Sequence, residues 1–251
     1  MTAALLDVRN ISRRFGGLKA IDDVSFRLSE GEIVGLIGSN GAGKTTLVNL
    51  VTGHLKPSQG EISFRGQKIT GRKPHELASR GLMRTFQIVQ PFNALTALDN
   101  VAAAAMFAGR SRSMSSAREQ ADAALSNLGI SHCRDHFPIR MTLAERKRLE
   151  LARAWVARPK LLFLDEVNAG LNTGEIEGVL GMIRKIAAEG VAIVIIEHLM
   201  KVVKGLCPQL IVLHRGQLLA SGPTEEVARN PSVIEAYLGT RGAAAMLGEK
   251  P

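Results

Sequence analysis

Almost unbroken apolar runs at Glu32–Ile37, Lys160–Leu164 and Val191–Ile196 predict three short strands buried on both faces. Leu5–Val8 and Val24–Leu28 alternate apolar and polar positions instead, which predicts two short half-buried strands ahead of the first of these. Helical spacing follows two of the buried strands, over about Thr173–Glu189 and Leu199–Leu206, and this β-α alternation predicts an α/β fold with a parallel sheet. Residues 91–157 differ. They are rich in Ala, Arg and Ser at helical spacing, Ala117–Leu128 included, and predict an inserted helical subdomain. The expected organisation is therefore a core of about residues 1–90 and 158–240, a helical part of about 91–157, and a flexible tail over 241–251.

The first buried strand runs straight into Gly38-Ser39-Asn40-Gly41-Ala42-Gly43-Lys44-Thr45-Thr46, a full match to G-x-x-x-x-G-K-[ST], and a helical stretch opens at Thr45. Strand, loop and helix in this order predict a site for a nucleoside triphosphate. Glycines allow backbone N–H groups to turn inward around the phosphates without Cβ obstruction. Lys44 supplies a charge toward the β and γ phosphates, the Thr45 hydroxyl suits Mg²⁺, and the helix directs its positive end at the anion.

The second buried strand delivers Asp165 and Glu166 at its carboxyl end, where nucleotide sites of open α/β sheets form. Asp165 can hold Mg²⁺ through its water shell, and Glu166 can orient or deprotonate the water that attacks the γ phosphate. Acids there also suit the cap of a following helix. The third strand ends in Glu197-His198, and His198 can hydrogen-bond a γ phosphate or the attacking water, though a strand-end histidine is also often structural. Gln87, in Arg84-Thr85-Phe86-Gln87 at the junction with the helical part, carries an amide able to reach both Mg²⁺ and that part.

Composition narrows the class. The 251 residues suffice for a sizeable core, and two cysteines, Cys133 and Cys207, suit a reducing interior better than a disulfide framework. The opening residues lack a basic n-region and meet Asp7 early, so no signal peptide is expected. The longest apolar stretches, Val101–Ala108 and Val191–Ile196, fall well short of the roughly 18 residues of a membrane span. A net charge of +9 calls for an acidic partner without choosing among nucleic acid, lipid and protein. Its densest cluster, Arg146-Lys147-Arg148, reads as a solvated helix face. His132, Cys133, Asp135 and His136 have metal-ligand chemistry, but no distant Cys/His pair completes a site, so a polar loop is expected there.

The order P-loop, Gln87, helical part, Asp165-Glu166, His198 resembles the ATP-binding subunits of ABC transporters over residues 3–240. Within them it is most similar to the branched-chain amino acid importer ATPases. The segments that carry the likeness are Arg14-Phe15-Gly16-Gly17, Gly38–Thr46, Arg84–Gln87, Leu149–Ala154, Leu162–Glu166 and Asn230–Gly239. The resemblance implies a P-loop NTPase core with an N-terminal antiparallel β subdomain and the helical subdomain inserted. It implies ATP and Mg²⁺ as ligands, with Thr45, Gln87 and Asp165 around the metal. Phe15 would stack on adenine, His198 would sense the γ phosphate, and Gln87 would switch between Mg²⁺ and a permease.

It further implies a head-to-tail dimer with a second ATPase subunit, identical or related, in which each signature segment closes on its partner's ATP. Integral membrane permease subunits, an external solute-binding protein acting indirectly and a place on the cytoplasmic membrane face follow, with no nucleic-acid partner. A soluble ABC ATPase acting on nucleic acid or ribosomes and a weakly active regulatory subunit are the alternatives. Where the family often has Leu-Ser-Gly-Gly-Gln, this chain has Met141-Thr142-Leu143-Ala144-Glu145, and Asn172 stands in the D-loop where Asp is usual. Thr142 and Glu145 also fit a capping box.

Overall fold

The structure is a computed structural model and describes residues 4–85, 90–109 and 111–236. The described residues form two compact units, one within 1–74 and 192–236 and one within 75–191.

The first unit begins with β1 (Leu6–Phe15) and β2 (Leu18–Leu28), followed by β3 (Ile33–Ile37), α1 (Lys44–Val51), β4 (Gln59–Phe64) and β5 (Gln67–Lys68). Antiparallel pairing gives one sheet in the order β2-β1-β4-β5. Leu6, Val8 and Ile11 are buried along β1, while Asp7 and Arg9 point outward and pair with each other at 2.6 Å. β1 and β2 are much longer than the two short strands expected. Register shifts after Val8, Ile11 and Arg13 break the period-2 alternation that sequence reading relies on. At the irregular positions Asn10 and Asp23 take positive φ (48° and 55°), a conformation their short polar side chains tolerate, and the Asn10 amide donates to Asp23 at 2.9 Å.

β8 (Ala192–Ile196), α7 (Met200–Leu206), β9 (Gln209–His214), β10 (Gln217–Pro223) and α8 (Thr224–Val227) complete this unit. β3 lies between β8 and β9 and runs parallel to both, and β10 returns antiparallel along β9. β3 and β8 are buried almost throughout, which is why they read as unbroken apolar runs; β9, buried at its four central positions, is a strand beyond those expected from the sequence. The hairpins β4–β5 and β9–β10 turn at Arg65-Gly66 and Arg215-Gly216. All four residues have φ between 48° and 81°, the signature of the tight turns that match strand twist.

The second unit holds α2 (Pro74–Ser79, bar its first residue), β6 (Leu82–Arg84), α3 (Ala97–Phe107), α4 (Met114–Asn127), α5 (Leu143–Val156), β7 (Leu161–Asp165) and α6 (Thr173–Ala188). Short 3₁₀ turns at Ser131–Cys133 and Pro138–Arg140 lead into α5, and β6 runs parallel to β7. Buried alanines at 97, 102, 105, 117, 121 and 124 let α3 and α4 approach closely. Asn100, fully buried on α3, is matched by four partners: it accepts from Phe92 N and donates to the carbonyls of Phe92, Leu95 and Thr96. This unit contains the expected helices over 91–157 and, beyond them, the strand that carries Asp165.

Candidate functional site

β3 ends at Ile37 and the glycine-rich loop carries the chain into α1, as expected. Gly43 is the N-cap, with φ 105° and no side-chain capping bond, and the first turn contains no acid. Such a terminus leaves backbone N–H groups and the positive helix end for an anion. A Cβ on Gly43 would lie 2.8 Å from the Ala20 carbonyl and 2.9 Å from the Ile21 side chain, so glycine is required by contact as well as by φ. Lys44 Nζ donates to the carbonyls of Gly38 at 2.7 Å and Ser39 at 3.2 Å, spanning the loop. Ser39, Asn40, Gly41 and Thr45 are exposed, Gly43, Lys44 and Thr46 half-buried, and Ala42 buried.

A support for this loop escaped sequence reading. Gly216, at the tip of the β9–β10 turn, donates its N–H to the Ala42 carbonyl at 2.9 Å and accepts from Asp22 N at 2.8 Å. The signal available was Arg215-Gly216 between two apolar runs, but nothing local links it to residue 42.

Parallel pairing of Leu36 with Ile196 sets the ends of β3 and β8 side by side, so Gly38 and His198 leave the same edge of the sheet. His198 is exposed there, next to the buried Glu197. Phe15 ends β1 with 44% of its surface exposed, and the Arg13 guanidinium lies 4.8 Å from its ring centre. It is thus a surface ring and no part of the core.

In the second unit Asp165 closes β7. Its carboxylate accepts from Arg84 Nη2 at 2.8 Å, with both side chains less than 10% exposed. A buried charge requires such a partner, and in the sequence Arg84 stands out only as part of a motif. Thr85 extends the pairing: its N–H donates to Phe163 O at 2.9 Å, and its hydroxyl accepts from Asp165 N at 3.3 Å. Glu166 follows in a left-handed conformation, φ 46°, which costs a non-glycine residue on the order of 1–2 kcal/mol. Its carbonyl accepts from Ala169 N at 3.0 Å and from Lys147 Nζ at 3.2 Å.

Lys147 corrects an expectation. The sequence of Arg146-Lys147-Arg148 suggests a solvated face, yet Lys147 is 3% exposed and the Nε atoms of Arg146 and Arg148 are buried. Lys147 falls three residues after buried Ala144 and four before buried Leu151, so it lies on the apolar stripe of α5 and reaches the turn after β7.

At the start of α5 the capping box is present: Thr142 Oγ1 accepts from Glu145 N at 3.2 Å, and Glu145 Oε2 accepts from Thr142 N at 2.7 Å. Glu145 Oε1 meets His132 Nε2 at 2.9 Å. The His132 contact first, then the Thr142 N–H, hold the Glu145 carboxyl down at about 2. Leu143 lies against the turn before α6: a Cβ on Gly170 would come within 2.8 Å of its Cδ2. Asn172 caps α6, accepting from Glu175 N at 3.0 Å while Glu175 accepts from Asn172 N at 2.9 Å. The polar loop expected at 132–136 is only partly polar, since Cys133 is fully buried. Gln87, the last residues of the Asn230–Gly239 segment and the tail over 241–251 lie outside the described residues.

Among the described residues no helix is long and apolar enough to cross a membrane. Residues 21–169 match the family described as ABC transporter, and residues 217–243 match the branched-chain amino acid ATP-binding cassette transporter family. The high-affinity branched-chain amino acid transport ATP-binding protein BraF of Pseudomonas aeruginosa is 36% identical, over 95% of this chain and 99% of its own length. The corresponding LivG protein of Escherichia coli is 37% identical with the same coverage. A solved ADP conformation of an ATP-binding cassette of an ABC transporter superposes with a TM-score of 0.86 at 31% identity, covering 95% of this chain and all of that one. With an open P-loop, an acid pair after a buried strand and near-full-length likeness to these proteins, the chain belongs to the ABC transporter family, among its branched-chain amino acid transport ATP-binding proteins.

Proposed function

We propose that this chain is the ATP-hydrolysing subunit of an importer for branched-chain or other hydrophobic amino acids, working from the cytoplasmic face on permease subunits it does not contain. The observation that carries the nucleotide reading is the α1 terminus, uncapped, free of acids and spanned by Lys44. The substrate class rests on what BraF and LivG are named for. Thr45 and Asp165 offer the hard oxygen donors that suit Mg²⁺, and Arg84 holds the Asp165 carboxylate in place from 2.8 Å. Mg²⁺, when bound, would neutralise charge on the β and γ phosphates.

The chain's own groups divide the remaining work. Lys44 draws the phosphates in, Glu166 orients and deprotonates the attacking water, and His198 hydrogen-bonds the γ phosphate. Phe15 stacks on adenine, and Gln87 relays nucleotide state to the permease. Thr142, Leu143, Ala144 and Glu145 face the ATP of a second ATPase subunit, with Asn172 in the D-loop, and an external binding protein selects the solute. No nucleic-acid partner is invoked.

The test is Glu166→Gln, which preserves shape and removes the base. Nucleotide affinity stays and single-turnover hydrolysis falls about 10²–10⁴-fold. An unslowed variant would remove Glu166 from catalysis. Purification from native membranes brings integral permease subunits along; recovery of RNA or DNA with a steep salt dependence, and no membrane protein, would replace the transport reading.

A further inference from the structure

The 3₁₀ turn Ser131–Cys133 and the first turn of α5 converge on the carboxylate of Glu145. His132 Nε2 is 2.9 Å from Glu145 Oε1, and one donor atom from each of His132, Cys133 and Glu145 lies within 4.8 Å of the others. The set was hidden in the sequence, where His132 and Cys133 stand with Asp135 and His136 in one short loop, and only the fold brings in Glu145 from the next helix. We propose that His132, Cys133 and Glu145 form a binding site for a divalent transition-metal ion of the Zn²⁺ class, at the start of the signature helix.

The donors suit that class. Imidazole nitrogen, thiolate sulfur and a single carboxylate oxygen are what Zn²⁺ and Co²⁺ take, while Mg²⁺ and Ca²⁺ prefer an all-oxygen shell. Zn–N and Zn–O bonds of about 2.0–2.2 Å and Zn–S of about 2.3 Å set tetrahedral ligands roughly 3.3–3.8 Å apart. The His132–Glu145 pair therefore opens by only about half an ångström. Glu145 divides its two oxygens: Oε2 keeps the Thr142 N–H, so the helix stays capped, and Oε1 turns from His132 to the ion. His132, with 63% of its side chain exposed, provides the way in, and solvent fills the fourth position.

Charge follows the same logic. Cys133 is fully buried and its sulfur lies within 4.8 Å of a Glu145 carboxylate oxygen, so a thiolate there would be desolvated and face a like charge. A dication inserted between sulfur and carboxylate replaces that repulsion with two bonds. The thiol gives up one proton to solvent as the metal–sulfur bond forms, leaving two ligand charges against a 2+ ion. Arg148 is a nearby positive charge that opposes the cation.

The experiment titrates Co²⁺ into the purified full chain without oxygen or nucleotide, so its outcome is independent of the ATPase reading. A saturable 1:1 thiolate-to-cobalt charge-transfer band is expected, displaced by Zn²⁺ and untouched by excess Mg²⁺. Cys133→Ser abolishes the band, and Cys207→Ser, altering the other buried cysteine, leaves it intact. His132→Ala, at an exposed position that does not endanger folding, weakens binding by more than about 10-fold, the loss that even outer partners of a metal cause. Absence of a band, its survival in Cys133→Ser, or equal affinity in wild type and His132→Ala would overturn the site.

Discussion

Two helix N-termini in this molecule follow opposite rules. α1 starts at a glycine with no side-chain cap and no acid in its first turn, whereas α5 starts at Thr142 with both halves of a capping box and an acid at the third position. At α1 the orphan N–H groups and the positive helix end remain for a ligand; at α5 the Thr142 hydroxyl takes the Glu145 N–H, and the Glu145 carboxylate takes the Thr142 N–H and sets its own negative charge at the positive helix end. Glu145 thus stabilises its own helix at the expense of a phosphate that a signature segment would approach. The same first turn is a receptor in one place and a finished structure in the other.

The largest effects come from spoiling the open terminus. Lys44→Ala removes a charge-assisted contact worth about 1.5–3 kcal/mol, so ATP binding weakens about 10- to 150-fold by calorimetry while circular dichroism is unchanged. Gly43→Ala acts by shape, driving a Cβ against the Ala20 carbonyl at a φ that alanine disfavours, and nucleotide binding falls at least as far. Wild-type affinity in either variant would break the comparison from the α1 side.

Opening the closed terminus comes next. The triple change Leu143→Gly, Ala144→Gly, Glu145→Gln removes two Cβ atoms and the competing charge, and ATP-dependent dimerisation and turnover of the isolated chain rise several-fold. We propose that wild type dimerises weakly alone and gains a better second wall for its ATP from a related subunit, giving unequal sites. If isolated wild type already formed a stable ATP dimer at full activity, and the triple change added nothing, residues 142–145 would be an adequate signature.

Contiguity governs how much of this was legible beforehand. The loop 38–46 could be read because strand, glycines, lysine and helix are neighbours in the chain, and Asp165-Glu166 because an unbroken apolar run points at them. Arg84 beside Asp165, Gly216 beneath Ala42 and Lys147 on the Glu166 carbonyl join residues from 19 to 174 positions apart, and no local pattern encodes such pairings. Lys147 is hidden for a related reason: three consecutive cations look solvated until helical phase sets the middle one on the buried stripe. The capping box at Thr142 was legible, being local, but its third member, His132, was not.

Smaller effects belong to the caps. Thr142→Ala and Asn172→Ala each delete a side-chain acceptor at a helix start and cost about 1 kcal/mol, or roughly 2–4 °C in Tm for a chain of this size. No side chain caps α1, so Gly43 has no counterpart to this measurement. If Thr142→Ala left Tm unchanged, the α5 terminus would be held by packing of Leu143 against Gly170 rather than by its cap.

The smallest effect is a pH dependence confined to the closed terminus. Glu145 titrates at about 2 in the folded chain against an ordinary 4.5, so the folded state favours its ionised form. A depressed carboxylate contributes stability that is fully present above about pH 4.5 and lost as pH falls through the folded value. Glu145→Gln keeps a capping-box side chain and discards the charge. Urea unfolding of wild type and Glu145→Gln should therefore differ by a constant margin near pH 6, and the margin should shrink toward zero between pH 4.5 and 2. The absence of any margin near pH 6 would mean that the acid acts through shape alone, which Gln preserves, and the contrast with α1 would then be one of capping geometry rather than charge; a margin that persists unchanged at pH 2 would mean that it does not come from the ionised carboxylate.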